Sequence, residues 1–292
     1  NMQIALHSGA YLTEEKLLFN SILRNRESVS EHGIHIPGPG RYRRLMRERL
    51  GALGTAMPPD ETSQALLNAV LAGPQTQRII LSHSHIFGAP RAALRNGQLY
   101  PNAPVRLDQL GFAFRDHQLR LFMAVRNPAT FLPAILRKAP QEDMMELLRG
   151  YDPRDIRWSE TFEAIRSSVP DLTITVWCSE DLPLVWATIL HKILGMPRAE
   201  DVNGRFDLLT EIMEPEGLVQ LERSLNVATG LSEAEERDLI TDHLERFAIK
   251  DAVEEELDVP NWTEDLIDEI TEIYDEDMDR LAAIPGVSLI EP

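Results

Sequence analysis

The chain has 292 residues, of which 43% are hydrophobic, so it can bury a substantial core. Its single cysteine excludes an intrachain disulfide and a zinc site built from several cysteines. No apolar run reaches the roughly 18 residues of a membrane span, and the opening segment is too short and uncharged for a signal peptide. We therefore expect a cytoplasmic protein that does not contact a membrane.

The net charge of −18 is distributed unevenly along the chain. Residues 1–150 hold 18 Lys+Arg against 12 Asp+Glu, whereas residues 151–292 hold 11 against 35. A surface this negative repels nucleic acid, so nucleic acid is not expected as a partner. The acidic half suits a basic protein partner and the positive half a small anionic ligand. The arginines between residues 41 and 49 either attract that anion or form the solvated face of one helix.

Short apolar runs alternate with helical periodicity over residues 1–200, which is typical of a parallel sheet covered by helices. Strands are predicted at residues 2–6, 78–82, 119–125 and 172–177. Helices are predicted at residues 13–30, 41–52, 60–72 and 181–194. We therefore predict a three-layer α/β core over residues 1–200.

The strand signal fades beyond residue 200. Acidic amphipathic helices are predicted at residues 214–226, 232–249 and 262–283, with a last strand at residues 287–290. The run Glu254-Glu255-Glu256 is interpreted as a solvated face. Residues 201–292 are thus expected to form an acidic helical region that either packs on the core or belongs to the same domain.

Polar residues follow the predicted strands of the core, where an open parallel sheet binds its ligands. His7 follows the first strand, and His83 and His85 follow the second. Arg126 follows the third strand and Cys178 the fourth. An arginine in this position either binds a phosphate with its guanidinium or forms an ion pair with an acidic neighbour. Cys178 is interpreted as a small buried side chain.

The histidines leave three interpretations open. His83 or His85 could act as a general base, because histidine titrates near neutral pH. His7, His83 and His85 together could hold a metal ion. All three could instead be loop residues with structural hydrogen bonds. We expect no metal.

Four short segments carry a resemblance to a known family. They are the loop His7-Ser8-Gly9-Ala10-Tyr11-Leu12-Thr13-Glu14-Glu15-Lys16 with Asn25-Arg26 at the end of its helix, the segment Val125-Arg126-Asn127-Pro128, the segment Trp177-Cys178-Ser179-Glu180-Asp181-Leu182, and the turn Leu194-Gly195-Met196-Pro197. In this order over residues 1–200 they resemble the phosphate loop, the Arg-Asn-Pro signature, the Tyr-Glu-Asp-Leu segment and the closing turn of bacterial sulfotransferases.

The resemblance implies a phosphate-loop-type core and the transfer of a sulfuryl group from PAPS to a hydroxyl of a small-molecule acceptor. The loop from Gly9 to Thr13, with His7 and Lys16, would bind the 5′ side of the donor. Arg126 would bind the 3′-phosphate. His83 or His85 would be the catalytic base.

The loop departs from the family pattern at the positions that matter most. Leu12 occupies the position of the family's lysine, Glu14 and Glu15 replace a Gly-Thr pair, and Ala134 stands where the family has a serine. Two carboxylates there would outweigh the roughly half-unit charge of a helix dipole. The loop could therefore be an ordinary helix start capped by Thr13. The alternative function is a non-catalytic descendant of the fold that binds a protein or an uncharged small molecule.

Overall fold

The computed structural model describes residues 1–10, 13–253 and 259–292, apart from the side chain of Val253. Leu12 and the run Glu254-Glu255-Glu256 lie outside the described residues. The centre of the molecule is a six-stranded sheet in which every neighbouring pair of strands is parallel. Helices cover both faces, so the chain is an α/β protein, as predicted.

The strands confirm the predicted positions to within one residue. Their bounds are β1 Gln3–His7, β2 Ile34–His35, β3 Arg78–Ser82, β4 Leu94–Arg95, β5 Gln98–Leu99, β6 Gln118–Val125, β7 Thr173–Cys178 and β8 Val287–Ile290. The order across the sheet is β2, β3, β1, β6, β7, β8, while β4 and β5 form a separate antiparallel pair. Strand β2 was not predicted, because two residues are too few to show a pattern.

The described helices account for most of the remaining chain. Their bounds are α1 Glu15–Leu23, α2 Arg26–Ser30, α3 Arg43–Leu53, α4 Asp60–Val70, α5 Ala103–Ala113, α6 Pro128–Leu136, α7 Met144–Leu148, α8 Trp158–Ser168, α9 Leu182–Leu194, α10 Asp207–Ile212, α11 Pro215–Val227, α12 Glu233–Phe247, α13 Lys250–Val253 and α14 Glu264–Ala282. None of them is long and apolar enough to cross a membrane.

The single helix predicted over residues 13–30 is wrong, because the chain forms two helices there. The break lies at Asn25, whose side chain is buried. Its amide group donates to the carbonyl of Asn203 at 2.8 Å, and its carbonyl oxygen accepts the backbone N–H of Asn203 at 2.7 Å. This contact joins segments 178 residues apart, so local periodicity cannot reveal it.

The connections that follow β1 and β3 run in opposite directions across the sheet. Helices α1 and α2 carry the chain from β1 towards β2, and they cover one face of the sheet together with α9. The helices after β3 and β6 cover the opposite face. Right-handed crossovers require this change of face, since the connections run in opposite directions across the sheet. The reversal places a topological switch point at the carboxyl end of β1, and open parallel sheets bind their ligands in the crevice at such a point.

Residues beyond position 200 contribute to two places in the fold. Helices α10 and α11 bury a small core of their own, formed by Leu209, Met213 and Leu221. Helix α14 packs into the main core through Tyr274 and Leu281, and β8 extends the sheet beside β7. The sheet therefore includes residues from both sides of position 200.

Helix α9 ends in a cap formed by a distant arginine. Gly195 follows the helix in the left-handed region, at φ 73°. The Arg78 side chain donates to the carbonyl of Ile193 at 3.1 Å and to that of Lys192 at 2.9 Å. A cation beside the last carbonyls of a helix also complements its dipole.

We expect Gly195→Ala to lower the free energy of unfolding by about 1–3 kcal/mol. The added methyl group would lie 2.8 Å from Cδ of Arg78, and alanine is strained at this φ. Gly51→Ala is the matched control: Gly51 lies inside α3 with no atom within 4 Å of the added carbon, so stability should rise by up to about 1 kcal/mol. Urea unfolding of both variants measures the difference, and equal effects would contradict the cap.

Candidate functional site

His7 is fixed at the carboxyl end of β1 by residues of two other strands. Its Nδ1 lies 3.0 Å from the Ser82 hydroxyl, on β3. Its ring stacks with Trp177 of β7 at a centroid distance of 5.9 Å. The histidine is completely buried. It forms the floor of the crevice and cannot turn towards a ligand without breaking these contacts.

The loop after β1 is closed by a carboxylate of the chain itself. Glu15 Oε2 accepts the backbone N–H of Thr13 at 3.0 Å and lies 3.2 Å from the Thr13 hydroxyl oxygen. Gly9 has φ 62°, and a Cβ there would lie 3.1 Å from the Cβ of Glu15. The loop therefore packs directly against the first residue of α1, with the Glu15 carboxylate at one of its amides.

Thr13 does not cap α1, so that prediction is wrong. The helix begins at Glu15, and Glu14 occupies the cap position without a capping side-chain hydrogen bond. The Thr13 hydroxyl donates instead to the carbonyl of Ala10 at 2.5 Å. The threonine thus holds the loop closed. Lys16 is exposed on the first turn of the helix.

Glu14 is a buried acidic group beside His7. Its Oε1 lies 3.4 Å from Nε2 of His7, and only 6% of the residue is exposed. Its Oε2 has no hydrogen-bond partner in the described part of the chain, and neither has the buried hydroxyl of Ser8. Such unsatisfied buried groups are unfavourable for stability. Glu14 and Ser8 thus each keep a buried oxygen that no described residue contacts through a hydrogen bond.

The end of β3 is held by the start of α3. The Ser82 carbonyl accepts hydrogen bonds from Nε of Arg43 at 2.7 Å and from the Tyr42 hydroxyl at 3.2 Å. Arg43 also lies over the ring of Phe19, 4.7 Å from its centroid. Arg43, one of the arginines between residues 41 and 49, therefore has a structural role. Its neighbour Arg44 forms an exposed ion pair with Glu48.

The two histidines after β3 differ in environment. His83 is buried, and its Nε2 lies 3.0 Å from the backbone oxygen of Arg43. Burial lowers the pKa of His83 to about 4, so it is neutral at physiological pH. His85 is half-buried, and burial also lowers its pKa, while the Glu15 carboxylate opposes this shift. His85 is therefore the histidine that remains accessible near the loop.

Metal binding by the three histidines finds no support in the geometry. Within residues 1–10, 13–253 and 259–292, no three His, Cys, Asp or Glu side chains are grouped so that they could hold a metal ion. His7 and His83 are buried and have separate hydrogen-bond partners, whereas His85 is half-buried.

Arg126 lies at the end of β6, on the other side of β1. Its Nε donates to the Thr130 hydroxyl at 2.9 Å, and its backbone carbonyl accepts the indole N–H of Trp158 at 2.8 Å. Both carboxylate oxygens of Glu180 lie 3.3 Å from the backbone nitrogen of Asn127. Burial raises the pKa of Glu180, and the charge of Arg126 opposes that shift. The arginine is therefore close to an acidic side chain.

Sequence analysis missed two residues around the crevice, Tyr42 at the end of β3 and Tyr274 of α14. No local motif marks them, because each reaches the strand ends through tertiary packing. Of the predicted residues, His7, Gly9, Thr13 and His85 lie around the loop, while Arg126 lies at the end of the neighbouring strand β6.

Comparisons with known proteins give little further information. No family model and no curated protein matches the chain. A solved structure, the crystal structure of retinol dehydratase in complex with androsterone and inactive cofactor PAP, is similar at 10% identity with a TM-score of 0.31. The match covers 99% of this chain and 82% of that chain. At this TM-score the similarity carries no argument about the site, and the α/β class rests on the sheet itself.

Cys178 should be unreactive in the folded protein. Burial raises the pKa of its thiol to about 12, although the nearby Tyr274 hydroxyl opposes the shift. At a pH of about 8 roughly one thiol in 10⁴ is then ionised, and the thiolate is the reactive form. We expect its reaction with Ellman's reagent to be at least about 10³-fold slower than in concentrated urea, where the thiol pKa returns to about 8.5. Similar rates in both conditions would contradict the burial.

Proposed function

We propose that the protein is a non-catalytic binding protein with a phosphate-loop-type core, in which the loop after β1 no longer receives a nucleotide. The observation that carries this proposal is the hydrogen bond from the backbone N–H of Thr13 to the carboxylate of Glu15. A phosphate loop binds its anion through unoccupied backbone N–H groups at a helix N-terminus. Here a carboxylate of the chain takes one of those groups.

Electrostatics supports the same proposal. A donor phosphate in the loop would meet Glu15 and the buried Glu14. Two unit charges 4 Å apart interact by about 1 kcal/mol in water and about 4 kcal/mol at an effective dielectric constant of 20. The helix dipole offers only about half a unit charge in return. Ala134, in place of the family's serine, is buried in α6 and has no hydroxyl to offer a phosphate.

The second candidate function is the transfer of a sulfuryl group from PAPS to a hydroxyl acceptor. Arg126 favours it, since a guanidinium at the end of β6 lies beside the crevice. The arginine would bind the 3′-phosphate, and the loop from Gly9 to Thr13, with His7, the 5′ side. Lys16 would have to turn back from solvent to contribute. His85 would take the acceptor proton, because burial makes His83 a weak base, with a pKa of about 4, and its Nε2 is held by the Arg43 carbonyl.

The partner of a non-catalytic protein would be recognised elsewhere on the molecule. The excess of acidic residues in the second half suits a basic protein partner. The helices beyond position 200 also offer room for a small molecule, in a cavity beside α9.

Calorimetric titration with adenosine 3′,5′-bisphosphate separates the two functions. We expect no binding to the wild type, because Glu15 occupies the loop. The triple variant Leu12→Lys, Glu14→Gly, Glu15→Thr should acquire affinity, and adding Arg126→Ala should weaken it by about 10- to 100-fold, typical of a lost charged hydrogen bond.

The control for Arg126→Ala is Arg44→Ala, because Arg44 is exposed and its ion pair lies outside the crevice. Binding to the wild type that Arg126→Ala weakens and Arg44→Ala does not would overturn the binding proposal in favour of the transferase. A triple variant that stays without affinity would show that the pocket has changed beyond the loop.

A further inference from the structure

A second place for a ligand lies on the outer side of α9, away from the crevice. It is a cavity of about 840 Å³ between α9, residues 195–206, and helices α10 to α12. Its lining includes neither the loop after β1 nor any residue of β3 or β6. Small-molecule sites commonly have volumes of about 300–1,000 Å³ and lie between packed structural units. The size and position of this cavity fit that description.

The wall of the cavity is formed largely by apolar side chains that the fold covers incompletely. The half-buried apolar residues of the lining include Leu184, Ala187, Phe206, Leu225, Leu231 and Ile240. Apolar surface that remains in contact with water gains favourable free energy when a ligand covers it. The wall therefore suits a ligand with an apolar body.

One half-buried arginine of the lining has no ion-pair partner in the part of the chain that the structure describes. Glu236 is already engaged, since Arg198 and Arg205 lie 3.1 and 3.4 Å from its carboxylate. Arg237 is half-buried in the same wall, and no hydrogen bond or ion pair involves its side chain in the described parts of the chain. A half-buried guanidinium is a strong donor for a carboxylate or sulfonate.

The acidic residues of the lining do not compensate this charge. Glu233 lies 3.5 Å from Arg198 and so belongs to the paired group. Glu200 and Asp201 are exposed to solvent, where their charges are screened. The lining also contains Lys192, which is exposed to solvent, so Arg237 is the half-buried positive charge that a bound anion would meet next to the apolar wall.

We propose that this cavity binds a small amphipathic acid, with its apolar body against the wall of α9 and α12 and its anionic group at Arg237. This inference rests on the proposed binding function, to which it gives a ligand class and a place. It requires no nucleotide and no residue of the crevice.

Fluorescence titration with anilinonaphthalene sulfonate tests the proposal, because this probe is an aromatic body with one anionic group. We expect saturable binding at one site per chain. Arg237→Gln should weaken it about tenfold, typical of a lost charge-assisted hydrogen bond. Arg223→Gln is the matched control, since Arg223 is exposed on α11 outside the lining and its variant should bind as the wild type does.

Two further measurements separate the apolar wall from the charge. Phenylnaphthylamine, a neutral probe of similar shape, should bind Arg237→Gln as well as it binds the wild type. Ala187→Trp should abolish binding of both probes by filling the cavity. If this variant has a lower melting temperature, Leu231→Trp on the facing segment replaces it.

The proposal is overturned if the anionic probe does not bind, or if it binds equally to the wild type, Arg237→Gln and the tryptophan variant. Displacement of the probe by adenosine 3′,5′-bisphosphate would place the bound probe in the crevice, and this result would also overturn the proposal that the cavity binds it. The proposed non-catalytic binding function is tested separately. It fails if calorimetry detects binding of the bisphosphate to the wild type.

Discussion

Strand β1 lies between β3 and β6, and the chain leaves β1 and its neighbours in opposite directions. Right-handed crossovers then place the following helices on opposite faces of the sheet, which puts the topological switch point at the carboxyl end of β1. His7 lies buried at this point, at the end of the strand. What occupies the crevice is decided by the few side chains at its border.

Those side chains are unusual for an anion site, because acidic groups lie where a phosphate would need donors. Glu15 accepts the Thr13 amide, and Glu14 is buried against His7. Arg126 on the neighbouring strand is close to Glu180. The Thr13 amide, His7 and Arg126 thus each have a carboxylate nearby. These carboxylates disfavour an anion at the end of β1.

The cavity beside α9 has a different origin. Helices α10 to α12 pack around a small core of their own and are tied to α1 through Asp207, which binds the Ser21 hydroxyl at 2.7 Å and forms an ion pair with Arg24. Asp207 is the first residue of α10, and on the outer face of α9 the side chains of Leu184 and Ala187 are only half-buried. These side chains and Arg237 line the cavity together.

The sequence by itself determined the α/β class and the strands of the sheet, because buried parallel strands are short apolar runs that a local pattern reveals. It also determined which polar residues follow the strands. Only the tertiary structure decided that Thr13 closes the loop, that Asn25 divides a helix, that Arg43 binds Ser82 and that a cavity forms beside α9. The contacts of Thr13 are local, but they are side-chain contacts that periodicity does not reveal. The other outcomes depend on contacts between residues far apart in the chain, and periodicity carries no information about such pairs.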